Sequence, residues 1–294
     1  MLGQKKQSGV ALLVVLWGSI LLTVLVTGFA HHSQESSMLS RRAIDRLQVI
    51  ETAKAGLELA VRQLQHPDLQ QRLWADGRPY RIKFEGVELV IRVQDEKGKI
   101  GINNAGADTL VLLFKSVGIE QELATRIADS VIDYRDEDDA TRLYGAETAD
   151  YHRAGLPYGA KNNSFITLEE LLQVYGINYD LYQKIVPALS IYASSPQPDW
   201  RLAPKAVLAM EPTLDVDFIE LFLKARHAAT SAGEVLPAWP DGRQFTAYQG
   251  SGPIYTINIE ATLANQAIRQ ITAVVHTEEN DSFFPFSIKH WSER

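Results

Sequence analysis

Val10-Ala-Leu-Leu-Val-Val-Leu-Trp-Gly-Ser-Ile-Leu-Leu-Thr-Val-Leu-Val-Thr-Gly-Phe-Ala30 is a run of 21 residues without a single charge, and its reading decides how the rest of the chain is organised. At about 1.5 Å per helical residue it matches the roughly 30 Å hydrocarbon core of a bilayer. Directly before it, Met1 to Gly9 is a short polar leader carrying Lys5 and Lys6. Positive charge on that flank predicts a cytoplasmic N-terminus and an exported remainder. A secretory signal peptide competes for the segment, since Gly28-Phe29-Ala30 offers small residues at a cleavable spacing. Such a peptide wants an apolar stretch of only about 7–15 residues, and this one is too long. An ordinary signal anchor explains the span and the charge bias, but it gives no reason for Ser8-Gly9 to abut the unbroken run Val10-Ala11-Leu12-Leu13.

That junction resembles the prepilin signal of type IV pilins and type II secretion pseudopilins, a short basic leader ending in Gly before a long apolar helix. The resemblance implies cleavage by a prepilin peptidase between Gly9 and Val10 and N-methylation of Val10. Most of these proteins carry Glu at the fifth residue after the cut, where this chain has Val14. An unpaired carboxylate in hydrocarbon costs about 2.5–3.5 kcal/mol on insertion scales, so a subunit without a partner for it does better with an apolar residue. This departure is similar to the pseudopilin K family, large minor subunits that lack the glutamate and sit at the filament tip.

Bulk properties narrow the partners. The chain has 294 residues, 29 basic against 36 acidic and a formal charge of −7, which disfavours a phosphate-neutralising surface. With no cysteine, an exported domain needs some other cross-link, such as a metal held by oxygen ligands.

Beyond Ala30, Leu39, Ala43, Leu47, Ile50, Ala53, Leu57, Ala60, Val61 and Leu64 recur at spacings of three and four, with Arg41, Asp45, Glu51, Glu58 and Arg62 among the charges opposite. One helix over residues 10–66 is expected, stopping at His66-Pro67. A coiled coil is the alternative, but no strict heptad persists. Tyr80–Phe84 and Val87–Val93 alternate around Glu85-Gly86 as a β-hairpin, Lys99–Ile102 adds a candidate strand, and strand signals return at Phe245–Gln249, Tyr255–Ala261 and Arg269–His276. The expected class is α+β, a long N-terminal helix on an antiparallel sheet interrupted by a large helical insertion. The expected segments are a leader at 1–9, a transmembrane helix at 10–30, its periplasmic continuation at 31–66, a pilin-like sheet domain at 67–102 and 236–294, and an inserted helical domain at 103–235. That order again resembles the pseudopilin K family.

The insert carries a weak repeat: Thr109-Leu-Val-Leu-Leu, Gly118-Ile119 and Ile127 compare with Leu168-Glu-Glu-Leu-Leu, Gly176-Ile177 and Ile185, with a poorer third copy from Ala203-Pro204. A helix-hairpin-helix module for DNA backbone is one reading, but each copy lacks the second glycine that lets amides approach phosphate. With the acidic balance and the anchor, no nucleic-acid partner is expected, and the architecture is similar to the SAM-like domains of pseudopilin K.

The densest chemistry runs through Asp133, Asp136, Glu137, Asp138, Asp139, Glu147 and Asp150, with Asn162-Asn163 beyond. Carboxylates this close repel unless solvated or bridged by cations, and hard oxygens suit Ca²⁺. Asp136, Asp138 and Glu147 match positions 1, 3 and 12 of an EF-hand loop, but Ala140 and Thr141 break the pattern, so spacing alone favours a solvated acidic loop. The resemblance reverses that weighting, because pseudopilin K binds calcium at an Asp-rich stretch leading to Gly-Ala-Glu, here Gly145-Ala146-Glu147. It implies Asp136, Asp138 and Glu147 as ligands, with Asp133, Asp139, Asp150 and Asn162 as further candidates. Thr148 stands where the family often has Asp, which weakens or shifts a second site unless Asp150 substitutes.

A membrane hydrolase using paired carboxylates is the competing class. No Gly-x-Ser-x-Gly, Walker loop or His-Glu-x-x-His is present, and His31-His32 fall where the apolar run meets water. The resemblance implies a non-enzymatic inner-membrane protein with a periplasmic domain, calcium as a structural cofactor, and an assembly role. Its implied partners are minor pseudopilins I and J, with H as a further one, the prepilin peptidase and the inner-membrane assembly platform. A minor pilin of a type IV pilus and a signal-anchored periplasmic binding domain remain the alternatives.

Overall fold

The computed structural model of the chain describes residues 8–84, 86–250, 252–263, 268–278 and 286–293. Residues 1–7 of the expected leader lie outside them. A single helix, α1 (Ser8–Leu64), runs through both the apolar run and its amphipathic continuation, ending just short of residue 66. Its first half contains a membrane-length window, Leu12–Phe29, with mean hydropathy 2.4 and no part buried against the chain.

The second half of α1 packs on a sheet through Val49, Ala53, Leu57, Ala60, Val61 and Leu64, all buried. Each fully buried Val or Leu of this kind contributes about 1.5–3 kcal/mol. Gly56 explains its place in a helix interior: a Cβ there would lie 3.1 Å from Leu89 Cδ1 and 3.6 Å from Ile91 Cδ1, so its absence lets the helix approach the sheet closely.

The sheet has five antiparallel strands in the order β1 (Asp76–Phe84), β2 (Val87–Asp95), β5 (Ile254–Leu263), β6 (Ile268–His276), β7 (Ser287–Glu293). The β1–β2 hairpin turns through Gly86 at φ 82°, a conformation glycine adopts without a Cβ penalty. Residues of alternate register face α1: Leu89 pairs with Ala261, Ile91 with Ile259, Val93 with Ile257, and Ile259 with Ile271. β2 and β5 are sheet neighbours although residues 96–253 separate them, and the chain leaves and returns at one end, where Asp95 pairs with Tyr255.

The intervening residues build a second core from α2 (Ala107–Ser116), α3 (Gln121–Arg135), α4 (Thr148–Arg153), α5 (Tyr179–Ile185), α6 (Lys205–Leu208) and α7 (Val216–Ala228). Both copies of the repeat turn at a glycine with positive φ, Gly118 at 90° between α2 and α3 and Gly176 at 92° before α5. The block meets the sheet across a polar seam: Arg226 donates to Ala203 O, Arg201 O and Asp76 O, Arg78 donates to Arg226 O and Ala229 O, and Gln94 Nε2 donates to Leu202 O. The same end holds the exit of α1, where Gln65 Nε2 donates to Thr277 O and Thr277 N to Pro253 O. The helical block therefore sits at the end of the sheet away from the apolar run.

Three sequence expectations change, and one strand is added. Of Lys99–Ile102 only β3 (Ile100–Gly101) is a strand, and it pairs in parallel with β4 (Leu189–Ser190) instead of joining the main sheet. Phe245–Gln249 makes a single bridge, Thr246 to Val235, because Phe245 is drawn into ring contact with Trp239 at 4.9 Å. Residues 236–253 consequently belong with the helical core, where Leu236, Trp239 and Ala247 are buried, rather than with the sheet. β7 carried too few apolar residues to be read as a strand; it is an edge strand, which needs few.

Candidate metal centre

Three segments of the helical block converge on one spot. The last turn of α3 brings Asp133 and then Asp136, whose amide closes the helix by donating to Ile132 O. The start of α4 brings Glu147 at its N-cap. The third segment is held by Asn103, whose Oδ1 accepts from Phe165 N and whose Nδ2 donates to Phe165 O, while Phe165 stacks on Tyr134 at 5.2 Å. That anchorage fixes Asn162, which sits at φ 51° with its amide donating to Tyr134 O. Asn is among the few non-glycine residues that tolerate this conformation.

Four acceptor oxygens at this convergence are poorly satisfied. Asp136 Oδ1, both carboxylate oxygens of Glu147 and Asn162 Oδ1 are all buried without a well-formed hydrogen bond, the Glu147 carboxylate meeting only the first amides of α4, which it caps. Leaving a buried acceptor unsatisfied costs about 1–3 kcal/mol, more for a charged group. Asn162 is oriented by its nitrogen, which donates to Asp139 Oδ1 at 2.7 Å and Asp138 O at 3.2 Å, and this turns its oxygen inward.

Electrostatics agree with the geometry. Burial, then the neighbouring Asp133 and Asp136, pushes the Glu147 carboxyl up to about 7. Burial, opposed by the Arg142 amide and reinforced by Asp136 and Asp129, pushes Asp133 to about 6. Asp136 is raised as well, by burial and then by Asp138. The nearby cations serve elsewhere: Arg142 Nε donates to Asp129 Oδ1 at 2.9 Å, and Arg135 donates to the carbonyls of Ile102 and Ala105. Gly145 completes the wall, since a Cβ there would overlap the Asp133 carboxylate.

This donor set fits a hard cation. The chemistry is oxygen only, the orphaned atoms are acceptors, and the carboxylates are held protonated at pH values where a free one would be charged. Asp136, Glu147 and Asn162 would hold Ca²⁺ through the oxygens that lack partners, with Asp133 beside them. Among the described residues, no group of three or more aspartate, glutamate and histidine side chains is placed to hold a metal ion, so a cation here would need the Asn162 oxygen and main-chain or water oxygens as well. The other predicted ligands have different duties here. Asp138 Oδ1 accepts from Ala140 N, Asp139 Oδ1 accepts from Asn162, and Asp150 accepts from Glu147 N with one oxygen and from Arg153 with the other. Asp150 as a replacement for the carboxylate missing at Thr148 is therefore committed to capping α4 and to an ion pair. Gly9 and Val10 lie in the first turn of α1, and Val14 is exposed on its surface.

Sequence reasoning missed Asp129, which stands one helical turn before Asp133. Its two oxygens take Arg142 Nε and Tyr144 N, tying down the loop between Asp136 and Glu147. The i, i+4 spacing of Asp129 and Asp133 on a helix was the available signal.

Residues 89–194 match the family model described as Type II secretion system (T2SS), protein K. A type II secretion system protein K from Pectobacterium carotovorum subsp. carotovorum is 28% identical over 205 residues, 63% of this chain and 62% of that protein. One from Aeromonas hydrophila is 33% identical over 76 residues, 26% of this chain and 23% of that protein. The chain thus spans less than two thirds of the length of these relatives. A chain in the crystal structure of the GspK-GspI-GspJ complex from the enterotoxigenic Escherichia coli Type 2 Secretion System superposes with TM-score 0.56 at 16% identity, covering 90% of this chain and 99% of that one. At that identity the likeness is one of fold.

Proposed function

On the premise that this chain is a member of the type II secretion system protein K family, a non-enzymatic secretion component, we propose that it is a minor pseudopilin that assembles with partners of the I and J type at the tip of a pseudopilus. The apolar half of α1 anchors it in the inner membrane with the N-terminus cytoplasmic, the sheet with the buried half of α1 forms a pilin-like domain in the periplasm, and the helical block is an insertion into that domain. A prepilin peptidase removes the leader after Gly9, and the assembly platform takes up the mature helix.

The observation that carries this reading is the position of the helical block. It extends from the end of the sheet opposite the membrane-length run, through the β2–β5 junction and beside the exit of α1. A subunit within a filament has a neighbour above it along the axis, so a block of this size in that position suits a subunit with none. Asp136, Glu147 and Asn162 would hold calcium in a structural role, tying α3, α4 and the Asn162 loop together in a chain without disulfides. When bound, the ion supplies positive charge to the buried carboxylates, and it performs no chemistry.

The test is labelling of filaments isolated from cells carrying an epitope-tagged chain. Label at one end only of each filament is expected. Label spread evenly along the shafts would remove the tip assignment, and mature protein still beginning at Met1, by mass spectrometry, would remove the pseudopilin reading altogether.

A further inference from the structure

A groove of about 430 Å³ opens beside the metal centre, on the far side of its wall. Its floor is Ile127 of α3 and the turn at Gly176, where a Cβ would come within 3.2 Å of Ile127 Cγ1. Three apolar or aromatic side chains rise from the rim while remaining substantially exposed: Leu123 at 48%, Tyr144 at 49% and Tyr175 at 44%. Leu143, next to Tyr144 in the chain, is 83% exposed. Large apolar side chains gathered around a concavity in this way mark a binding surface more often than scattered ones do.

The rim is also cationic in an acidic chain. Arg126 and Arg153 line the groove with Asp150 as its one acidic residue, whereas the chain as a whole carries −7. Arg126 sits in an exposed pair with Glu122 at 3.0 Å, and the exposed Arg153 pairs with the half-buried Asp150 at 2.5 Å. Pairs of this kind contribute about 0–1 kcal/mol, so either arginine can turn to an incoming carboxylate at little loss. The groove is also rigidly framed. Tyr175 is held by its amide donating to the buried Tyr151 hydroxyl at 2.9 Å and by an edge contact of the two rings at 5.8 Å. Tyr144 is held by its amide donating to Asp129.

We propose that this groove is a docking site for an extended acidic segment of a partner protein, one apolar or aromatic side chain seated between Leu123, Tyr144 and Tyr175 and flanking carboxylates on Arg126 and Arg153. The volume suits one large side chain with its backbone, at the small end of the range for ligand clefts, roughly 300–1,000 Å³. The charge of the rim selects an acidic segment over a basic one. The inference goes beyond tip assembly and does not depend on the metal being bound.

The test uses the detergent-solubilised full chain and a fluorescein-labelled heptapeptide in which one Phe is flanked by two Asp in an otherwise Gly/Ser sequence, followed by fluorescence anisotropy. Saturable binding is expected, weakened about tenfold or more by the double substitution R126E/R153E and by replacing both Asp of the probe with Lys. The melting temperature of R126E/R153E, with and without calcium, reports that the variant is folded. Absence of saturable binding, equal binding by the folded variant, or indifference to the probe's Asp and Phe overturns the proposal. So does sedimentation showing that the groove is closed in a dimer that R126E/R153E dissociates. If chelation leaves both melting and peptide binding unchanged while R126E/R153E still abolishes binding, the docking site stands and the calcium reading falls.

Discussion

At the residue scale, the candidate metal centre is a place where folding has gathered acceptors and left them poorly satisfied. Glu147 shows this most plainly, with both oxygens buried and offered nothing better than the first amides of α4, and its carboxyl pushed up to about 7. Replacing Glu147 with Gln removes a charge the metal-free fold bears at a cost. The metal-free Tm is expected to hold or rise, and the increase on adding calcium to collapse; at a hundredfold excess over Kd that increase corresponds to about 2.7 kcal/mol for a single site. Calorimetry with calcium and with chelator separates the two effects. The pH dependence follows from the same groups. Folded Glu147 and Asp133 keep their protons up to about 7 and about 6, against ordinary values of 4.5 and 3.8, so between about 4 and 7 the folded chain binds more protons than the unfolded one. Their contribution to metal-free stability therefore increases as pH falls through that window and is lost as it rises. Protons and calcium compete for these oxygens, so the calcium-induced increase in Tm is expected to shrink over the same fall in pH. A calcium increment that stayed constant from pH 8 to pH 5 would falsify the ligand assignment.

At the element scale, α1 joins two environments in one helix, and Gly56 marks how closely its second half approaches β2. Gly56→Leu forces a side chain into Leu89 and Ile91, and overpacking of this kind costs about 1–3 kcal/mol. Urea denaturation of the detergent-solubilised protein is expected to shift by that amount. Much of this scale was readable in the sequence, because α1, the Gly86 hairpin and the Gly118 and Gly176 turns rest on local chemistry: apolar period, run length and glycines at positive φ. The misreadings at Lys99–Ile102 and Phe245–Gln249 have a common cause. Both carry β-prone residues, and whether such a stretch becomes a strand depends on a partner far away in sequence, here Leu189–Ser190 in one case and the Trp239 ring cluster in the other.

At the scale of the whole molecule, two apolar cores meet across a seam of buried polar contacts instead of merging. Arg226 is the centre of that seam, 1% exposed, with burial lowering its basicity to about 10 while it donates to three carbonyls. Arg226→Ala strands those carbonyls and is expected to destabilise the chain by about 3–5 kcal/mol. Because the loss falls between the cores, limited proteolysis is expected to release the helical block before the sheet is cut; simultaneous loss of both would show that the seam does not set their coupling.

The sequence by itself determined the membrane-length run, the helix that continues it, the hairpin and the acidic segment, since each depends on residues within a few turns of one another. Asp136, Glu147 and Asn162 came as candidates from the resemblance, which ranked Asp138 above Asn162; spacing along a chain says nothing about where a side chain points. Only the tertiary structure decided that β5 lies against β2, that residues 236–253 join the helical core, that Asp150 caps a helix, and that the Asn162 oxygen turns inward beside Glu147. Those outcomes depend on burial, which removes water as the alternative hydrogen-bond partner and is a property of the whole fold rather than of any stretch of sequence.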